Sequence, residues 1–299
     1  MYVITGATGH TGTIAAKTLL ARGQKVRVLG RSADRLKALT SAGAEAFVAD
    51  ITDAKRLTEA FLGAEAAYVL VPPNPTSNDF RAFQEQASDS IATAVAAAKL
   101  KHVVSLSSIG ADKPDKTGPV VGLYNLEQKL NRIDGPNVLH LRAGYFMENT
   151  LGQAGAIRAF GKTMGPLRPD LKLPMIATRD IGVIAAEELL SKNFQGKQTR
   201  ELDGQREIDM NEVTRIIGKA VGKPDLTYLQ APDEQFQAAL VQMGMSANFG
   251  KLIVEMSHAL NDGYMRALEP RSPRTTTPTP YETFVAEEFL PSFQEAPAA

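Results

Sequence analysis

The chain contains no cysteine, which excludes disulfides, thiolate metal sites and a cysteine nucleophile, and fits a reducing, cytoplasmic setting. It has no excess of charge of either sign. Its 33 basic and 33 acidic residues cancel, so nothing electrostatic points to nucleic acid or to an anionic membrane. No uninterrupted apolar stretch is long enough to cross a bilayer. The N-terminus enters a strand-like run directly, so no signal peptide is expected before it. Histidines are few and scattered at His10, His102, His140 and His258, and no pair has the spacing of metal ligands. No internal repeat is visible. At 299 residues and 32.2 kDa, the chain can bury one large core or two smaller ones. A homodimer is left open.

What is present is concentrated at the start. Met1 to Thr5 is a short β-rich run, and the glycine-rich stretch Gly6, Ala7, Thr8, Gly9, His10, Thr11, Gly12 leads into a helical pattern over 13–22, stopped by Gly23. A strand, a glycine turn and a helix in that order form a dinucleotide site. Each glycine has its own reason. Gly6 makes the tight turn off the strand, Gly9 lets the backbone approach a pyrophosphate, and Gly12 lets the helix pack closely on the sheet. The free N–H groups at the helix start, with the positive end of its dipole, then hold phosphates. The spacing is G-x-x-G-x-x-G, one residue wider between the first two glycines than the commoner fingerprint.

The second strand, Lys25 to Arg31, ends where an acidic residue would bind the adenine ribose of NAD, and no Asp or Glu stands there. Arg31 does. A guanidinium pairs with a 2'-phosphate and stacks on adenine, which selects NADP(H). The alternative is a solvated surface arginine, since Arg35 and Lys37 lie nearby in an exposed helix over 33–41.

Further strands are expected over 44–50, 66–71 and 102–107, separated by helices over 54–62 and 79–100, the first of these capped by Thr52 and Asp53. Five alternations of strand and helix predict an α/β fold: a Rossmann-type, doubly wound parallel sheet with helices on both faces. Ligands in such a sheet bind at the carboxyl ends of the strands, which gathers Gly6 to Gly12, Arg31, Asp50, Ile51, Val71, Pro72, Pro73, Ser107 and Ser108 around one crevice. A helix over 123–133, a sixth strand over 137–142 and a loop over 144–149 follow. Residues 151–174 read as an irregular lid, and 181–190 as an amphipathic helix returning to the sheet domain. The stretch 202–267 reads as helical, with Met210, Met243, Met245, Met256 and Met265 either in its core or lining an apolar pocket. Residues 270–280 read as extended, 281–290 as a short helix, and the tail as frayed. The division expected is a nucleotide-binding domain over 1–150, with 175–192 packed back onto it, and a smaller, mostly helical substrate-pocket domain from 151–174 and 193–299.

Together, the Thr5 to Gly12 turn, the strand ending at Arg31, Ser107-Ser108-Ile109-Gly110-Ala111, the run from Leu141 to Asn149 and Arg179-Asp180-Ile181-Gly182 resemble the NmrA-like branch of the atypical short-chain dehydrogenases. The resemblance covers nearly the whole chain. That branch includes NADPH-dependent quinone and triphenylmethane dye reductases, and redox sensors that bind the cofactor without turning it over. The resemblance implies that phosphates lie on Thr8, Gly9, His10 and Thr11, the 2'-phosphate on Arg31 and the adenine near Asp50 and Ile51. It further implies that the nicotinamide ribose passes Val71, Pro72 and Pro73, and that the Tyr145, Phe146 to Asn149 loop closes the nicotinamide end and begins the substrate pocket.

In the wider superfamily a serine, and a tyrosine with a lysine four residues on, carry proton transfer. Here Tyr124 is followed by Gln128, and Lys129 is one step out of register, rotated away on a helix. NmrA-like proteins commonly carry a lysine just before the segment beginning at Tyr124, where this chain has Leu123. Glu127 reads as a structural charge. Carbonyl reduction needs a proton donor for the nascent alkoxide, whereas a quinone or dye gives a delocalised product that water protonates. The reading favoured is therefore an NADPH-dependent oxidoreductase acting on an apolar, aromatic, electron-poor acceptor. Tyr145, Asn149 and Ser107 are the polar candidates near the nicotinamide, with Tyr124 as a fourth catalytic candidate and His258 and Tyr264 as remoter ones. Two other readings stay open: a catalytically weak NADP(H)-binding sensor that signals to a protein partner, and an isomerase or epimerase with a tightly held cofactor.

Overall fold

The computed structural model of the chain describes residues 1–295. Strands β1 (Tyr2–Ile4), β2 (Val26–Gly30) and β3 (Glu45–Val48) alternate with helices α1 (His10–Ala21), α2 (Ala33–Ser41) and α3 (Ala54–Phe61). Then come β4 (Ala66–Val69), α4 (Phe80–Ala97), β5 (His102–Ser108), α5 (Val121–Asn131) and β6 (Asn137–Ala143). Asp53 and Asp79 start α3 and α4 by accepting from Arg56 N and Ala82 N, so each satisfies an otherwise orphaned helix N–H.

Beyond β6 the chain forms β7 (Tyr145–Phe146), α6 (Gln153–Phe160), β8 (Thr163–Gly165), β9 (Leu173–Ile176) and α7 (Thr178–Ser191). It continues through β10 (Lys197–Leu202), β11 (Glu207–Ile208), α8 (Met210–Ala220), β12 (Tyr228–Gln230), α9 (Asp233–Gln242) and α10 (Ala247–Asn261). Near the C-terminus, α11 (Tyr281–Phe284) runs through a π-helical turn, Val285–Phe289, into α12 (Leu290–Gln294).

Seven strands form one parallel sheet in the order β10-β6-β5-β4-β1-β2-β3. The chain runs outward from β1 to β3, then returns to the other side of β1 at β4. That reversal opens the crevice at the carboxyl ends of β1 and β4. Strand alternation supplies both faces. Tyr2 and Ile4 turn to the side covered by α1 and α7, while Val3 turns to the side covered by α3, α4 and α5. A separate apolar core gathers α6, α8, β9 and the C-terminal helices.

Three expectations need correction. Residues 151–174 are not an irregular lid, since α6, β8 and the start of β9 lie there. The stretch 202–267 is not uniformly helical, because β11 and β12 interrupt it. Lys197–Leu202, within the part expected to belong wholly to the smaller domain, is instead the seventh strand of the large sheet, paired along β6 from Val138 to Ala143. Of the five methionines, Met210 and Met265 are core, whereas Met243 is 64% exposed. Part of the expected frayed tail, 296–299, lies outside the described residues. None of the described helices is long and apolar enough to cross a membrane.

Candidate functional site

The glycine turn is built by contacts that no side chain would permit. Gly6 has φ +58°, and a Cβ there would lie 2.8 Å from Leu70 Cδ1 on the neighbouring strand's exit. A Cβ on Gly12 would lie 2.4 Å from Gly6 O and 3.0 Å from Ala7 Cα, so the close approach it permits is of α1 to the turn itself. Gly9 N donates to Gly6 O at 2.9 Å and closes the turn. Gly9 is also the N-cap of α1. It brings no side-chain cap, and no acidic residue stands in the first turn, so the helix N–H groups are left facing the crevice with the positive dipole end unscreened.

The other members of the turn divide their work. Gly9 and His10 are exposed, and Thr8 is half-buried. Thr11 is buried, its hydroxyl accepting from Tyr68 OH at 3.1 Å, so its side chain ties α1 to β4 and only its backbone is free for a phosphate. At the end of β2, Arg31 is exposed. Across from it Asp50, at the end of β3, accepts from Thr52 N at 2.9 Å and Thr52 Oγ1 at 2.7 Å. Partial burial works to raise the Asp50 carboxyl, but the Thr52 hydrogen bonds and the Arg31 charge prevail and hold it below the usual range. Ile51 and Val71 pack partly on the core beneath, while Pro72 is half-buried and Pro73 exposed.

At the far end of the crevice, Ser107 is 2% exposed and donates its hydroxyl to Glu127 Oε1 at 2.5 Å. Glu127, itself 1% exposed, takes a bidentate grip from Arg142, Nε at 3.0 Å and Nη2 at 2.7 Å. The structural charge expected at Glu127 is thus a buried ion pair, and the single hydrogen of Ser107 is committed to it. Tyr124 lies one turn before Glu127 on α5, half-buried, and its hydroxyl has no hydrogen-bond partner among the described residues. Lys129 points away from it to Glu85 and Asp89 on α4. The structure therefore assembles no tyrosine–lysine couple at this position.

Tyr145 begins β7 and is half-buried, its ring packed against the second core. Burial pushes its phenol up to about 12, a hydrogen bond with Asn149 opposing. Two further phenols lie close enough for Tyr145 to perturb them: Tyr228, which donates to Leu167 O, and Tyr281, which donates to Thr150 Oγ1. Phe146 turns instead to the large core, and Asn149 is exposed. His258 and Tyr264 are exposed and engaged with Asp233 and Asp115.

Sequence reasoning gave Glu148 no role of its own. Its Oε1 accepts from Thr178 N at 2.9 Å and Thr178 Oγ1 at 2.6 Å, which clamps the loop after β7 to the start of α7, and its buried Oε2 has no partner. The residues present fit a dinucleotide. The N-terminus of α1 carries no acidic residue and no side-chain cap, Arg31 is exposed at the end of β2, and a Cβ at Gly6 or Gly12 would press on Leu70 or on the backbone of the turn itself.

The NmrA-like family matches residues 2–290. The chain is 26% identical over 278 residues to an NAD(P)H azoreductase of Xenophilus azovorans, covering 92% of this chain and 93% of that protein. It is 29% identical over 224 residues to a (4-alkanoyl-5-oxo-2,5-dihydrofuran-3-yl)methyl phosphate reductase of Streptomyces griseus, covering 75% of each. Among solved structures, triphenylmethane reductase of Citrobacter sp. complexed with NADP(H) superposes with a TM-score of 0.80 at 17% identity, covering 96% of this chain and 99% of that one. The NADPH complex of the Escherichia coli quinone oxidoreductase QOR2 gives 0.70 at 23% identity, covering 88% and 94%.

Proposed function

On the premise that this chain belongs to the NmrA-like family, we propose that it is an NADPH-dependent oxidoreductase whose acceptor is electron-poor and aromatic, a quinone or a dye. The observation that carries this reading is a cofactor cradle without a proton-transfer couple. Lys129 is held by Glu85 and Asp89, Tyr124 stands alone, and the Ser107 hydrogen belongs to Glu127. NADPH supplies the hydride when bound. The chain's part is to hold the phosphates on the backbone of Thr8, Gly9, His10 and Thr11, and the 2'-phosphate on Arg31. Asp50, Ile51, Val71, Pro72 and Pro73 shape the channel for adenine and ribose. Tyr145 and Asn149 stand on the acceptor side, where Tyr145 stays a neutral hydrogen-bond donor at physiological pH, while Phe146 packs behind them on the large core. Such a site suits an acceptor whose reduced form draws its proton from water, because positioning is then the main requirement.

Similarity to an NAD(P)H azoreductase and to a dihydrofuranone phosphate reductase supports the class, and the aromatic acceptor is our proposal. The test is NADPH oxidation, followed at the nicotinamide absorbance, against simple quinones, an azo dye, a triphenylmethane dye and an aromatic aldehyde, with NADH as control. Turnover of a quinone or dye but not of the aldehyde is expected. Tight NADPH binding with no turnover of any acceptor would replace this reading with that of a redox sensor.

A further inference from the structure

The loop that leaves β4 is stiff within itself and pinned from outside at few points. Its root is fixed on β1, where Leu70 N donates to Thr5 Oγ1 at 3.1 Å. Residues 72–78 then include Pro72, Pro73 and Pro75, which fix their own φ and carry no N–H to offer. Within that span, Ser77 N donates to Asn74 O at 3.0 Å and closes a turn. Among the described residues, the hydrogen bonds that tie 72–78 to the rest of the chain are both made by Ser246. Its N–H donates to Pro75 O at 2.8 Å, and its hydroxyl donates to Ser77 O at 2.6 Å.

Ser246 is also the N-cap of α10, its oxygen accepting from Phe249 N at 3.0 Å while its hydrogen goes to Ser77 O. The residues after it fasten the start of α4. Asn248 Oδ1 accepts from Phe80 N at 3.0 Å, and the Phe249 ring meets the Phe80 ring edge-on with centroids 4.9 Å apart. Midway along α10, Glu255 Oε1 accepts from Arg81 Nη2 at 3.1 Å and from Gly118 N at 3.2 Å, which joins α4 to the loop after β5. Gly118 permits that approach, since it has φ +56° and a Cβ there would lie 2.0 Å from Leu252 O. The far end of α10 enters the second core through Ala259 and Leu260, the core against which Tyr145 packs. α10 is therefore a strut between the core that carries Tyr145 and the loop that leaves β4.

A stiff loop held at its root and at one pin passes any displacement of the pin along its length. Val71, Pro72 and Pro73 lie between the two, at the carboxyl end of β4 where the strand order reverses. Resting on the reading of that crevice as an NADP(H) site, we propose that Ser246 is a positioning residue for the nicotinamide half of the cofactor. Its two hydrogen bonds set where Val71 to Pro73 stand, and so how the nicotinamide is presented to the acceptor. Arg31 and Asp50 follow β2 and β3 on the other side of the reversal, which puts the adenine half outside its reach.

The experiment separates the cap from the pin. Ser246→Asp keeps an acceptor for Phe249 N but has no hydrogen to give Ser77 O, and its charge repels that carbonyl. Ser246→Thr keeps both functions and Ser246→Ala keeps neither. For the full chain and each variant, calorimetry measures the dissociation constants of NADPH and of 2',5'-ADP, which carries the adenine and the 2'-phosphate without the nicotinamide. Urea midpoints measure folding. Ser246→Asp should bind NADPH about three- to ten-fold more weakly, within what one hydrogen bond is worth, while its 2',5'-ADP affinity and urea midpoint stay at the parent's values. Ser246→Ala should show the same split with a lowered midpoint, and Ser246→Thr should match the parent throughout. Parent-like NADPH binding in Ser246→Asp, or equal losses for NADPH and 2',5'-ADP, overturns the positioning role while leaving the cofactor site intact. Failure of the parent chain to bind either ligand overturns the cofactor site and the inference together.

Discussion

Replacing Gly12 with alanine tests the cradle most directly. Glycine to alanine inside a helix ordinarily stabilises by up to about 1 kcal/mol. Here the new methyl would stand 2.4 Å from Gly6 O, 2.8 Å from Gly6 C and 3.0 Å from Ala7 Cα, all of them backbone atoms that no rotamer change can move. Overpacking of that kind costs about 1–3 kcal/mol, and with only backbone to yield the upper part of that range applies. The net expectation is a loss of about 1–2 kcal/mol. α1 must also back away from the turn, so the phosphate donors separate and NADPH affinity should fall by about tenfold or more. Two other substitutions divide these effects. Gly9→Ala meets only Gly6 O, at 3.3 Å, so it should leave stability nearly unchanged yet block the pyrophosphate. Gly23→Ala has φ +69° and nothing within 4 Å, so it should cost about 1 kcal/mol in backbone strain and leave binding alone. Urea denaturation without cofactor and a fluorescence titration with NADPH measure the two quantities. A Gly12→Ala protein with the parent's midpoint and affinity would refute the steric argument, and a Gly9→Ala protein that binds NADPH normally would refute the placing of the phosphates.

Arg31→Asp should weaken NADPH by roughly ten- to a hundred-fold and NADH by much less; equal losses in a direct binding assay would show that Arg31 does not read the 2'-phosphate. Glu127→Gln strips the buried carboxylate from Arg142 and Ser107, and should destabilise the fold by about 3 kcal/mol in chemical denaturation; a loss under about 1 kcal/mol would mean that the pair is not buried as described. Burial holds the His140 imidazole down to about 4, so the folded protein binds fewer protons than the unfolded chain between that value and the ordinary one near 6.5. Its contribution is whole above pH 6.5 and lost as pH falls toward 4, by about 3 kcal/mol in all. His140→Gln should flatten that part of the stability profile, and an unchanged slope would assign acid sensitivity elsewhere.

The elements legible in the sequence are those whose stability is local. α2 is found over its full expected length, with Leu36 and Leu39 three apart on its buried face. The turn after β1 is written in glycine spacing. β10 was hidden because Lys-Gln-Thr-Arg-Glu-Leu carries no apolar alternation; it is an edge strand whose first three residues are exposed and whose place is set by its ladder with β6. α6 was hidden in a glycine-containing stretch and depends on Ala154 and Ile157 packing into the second core. The Ser107, Glu127 and Arg142 network escaped for a different reason. Its members lie 20 and 15 residues from Glu127, and only the parallel register of β5 and β6, which sets Ser107 opposite Arg142, brings them under α5.

That network and the glycine contacts give the scattered motifs a common physical reason. Gly144 lets its strand run past Pro174, where a Cβ would lie 2.4 Å from the carbonyl oxygen, and this brings Tyr145 and Phe146 into ladder with Met175 and Ile176. Glu148 then fastens the loop to Thr178, and Gly182 lets the following turn press on Thr11 and Ile14. Each contact is a close approach or a clamp between two backbones. Their joint effect is to fix the Gly6 to Gly12 turn, the Tyr145 to Asn149 segment and the Arg179 turn relative to one another. Because interiors are packed too tightly to absorb even one methyl group without strain, a substitution at Gly144 or Gly182 should disturb cofactor affinity from outside the crevice. The glycines that read as a cofactor turn in the sequence, together with Glu148, also form the framework that holds the crevice to shape.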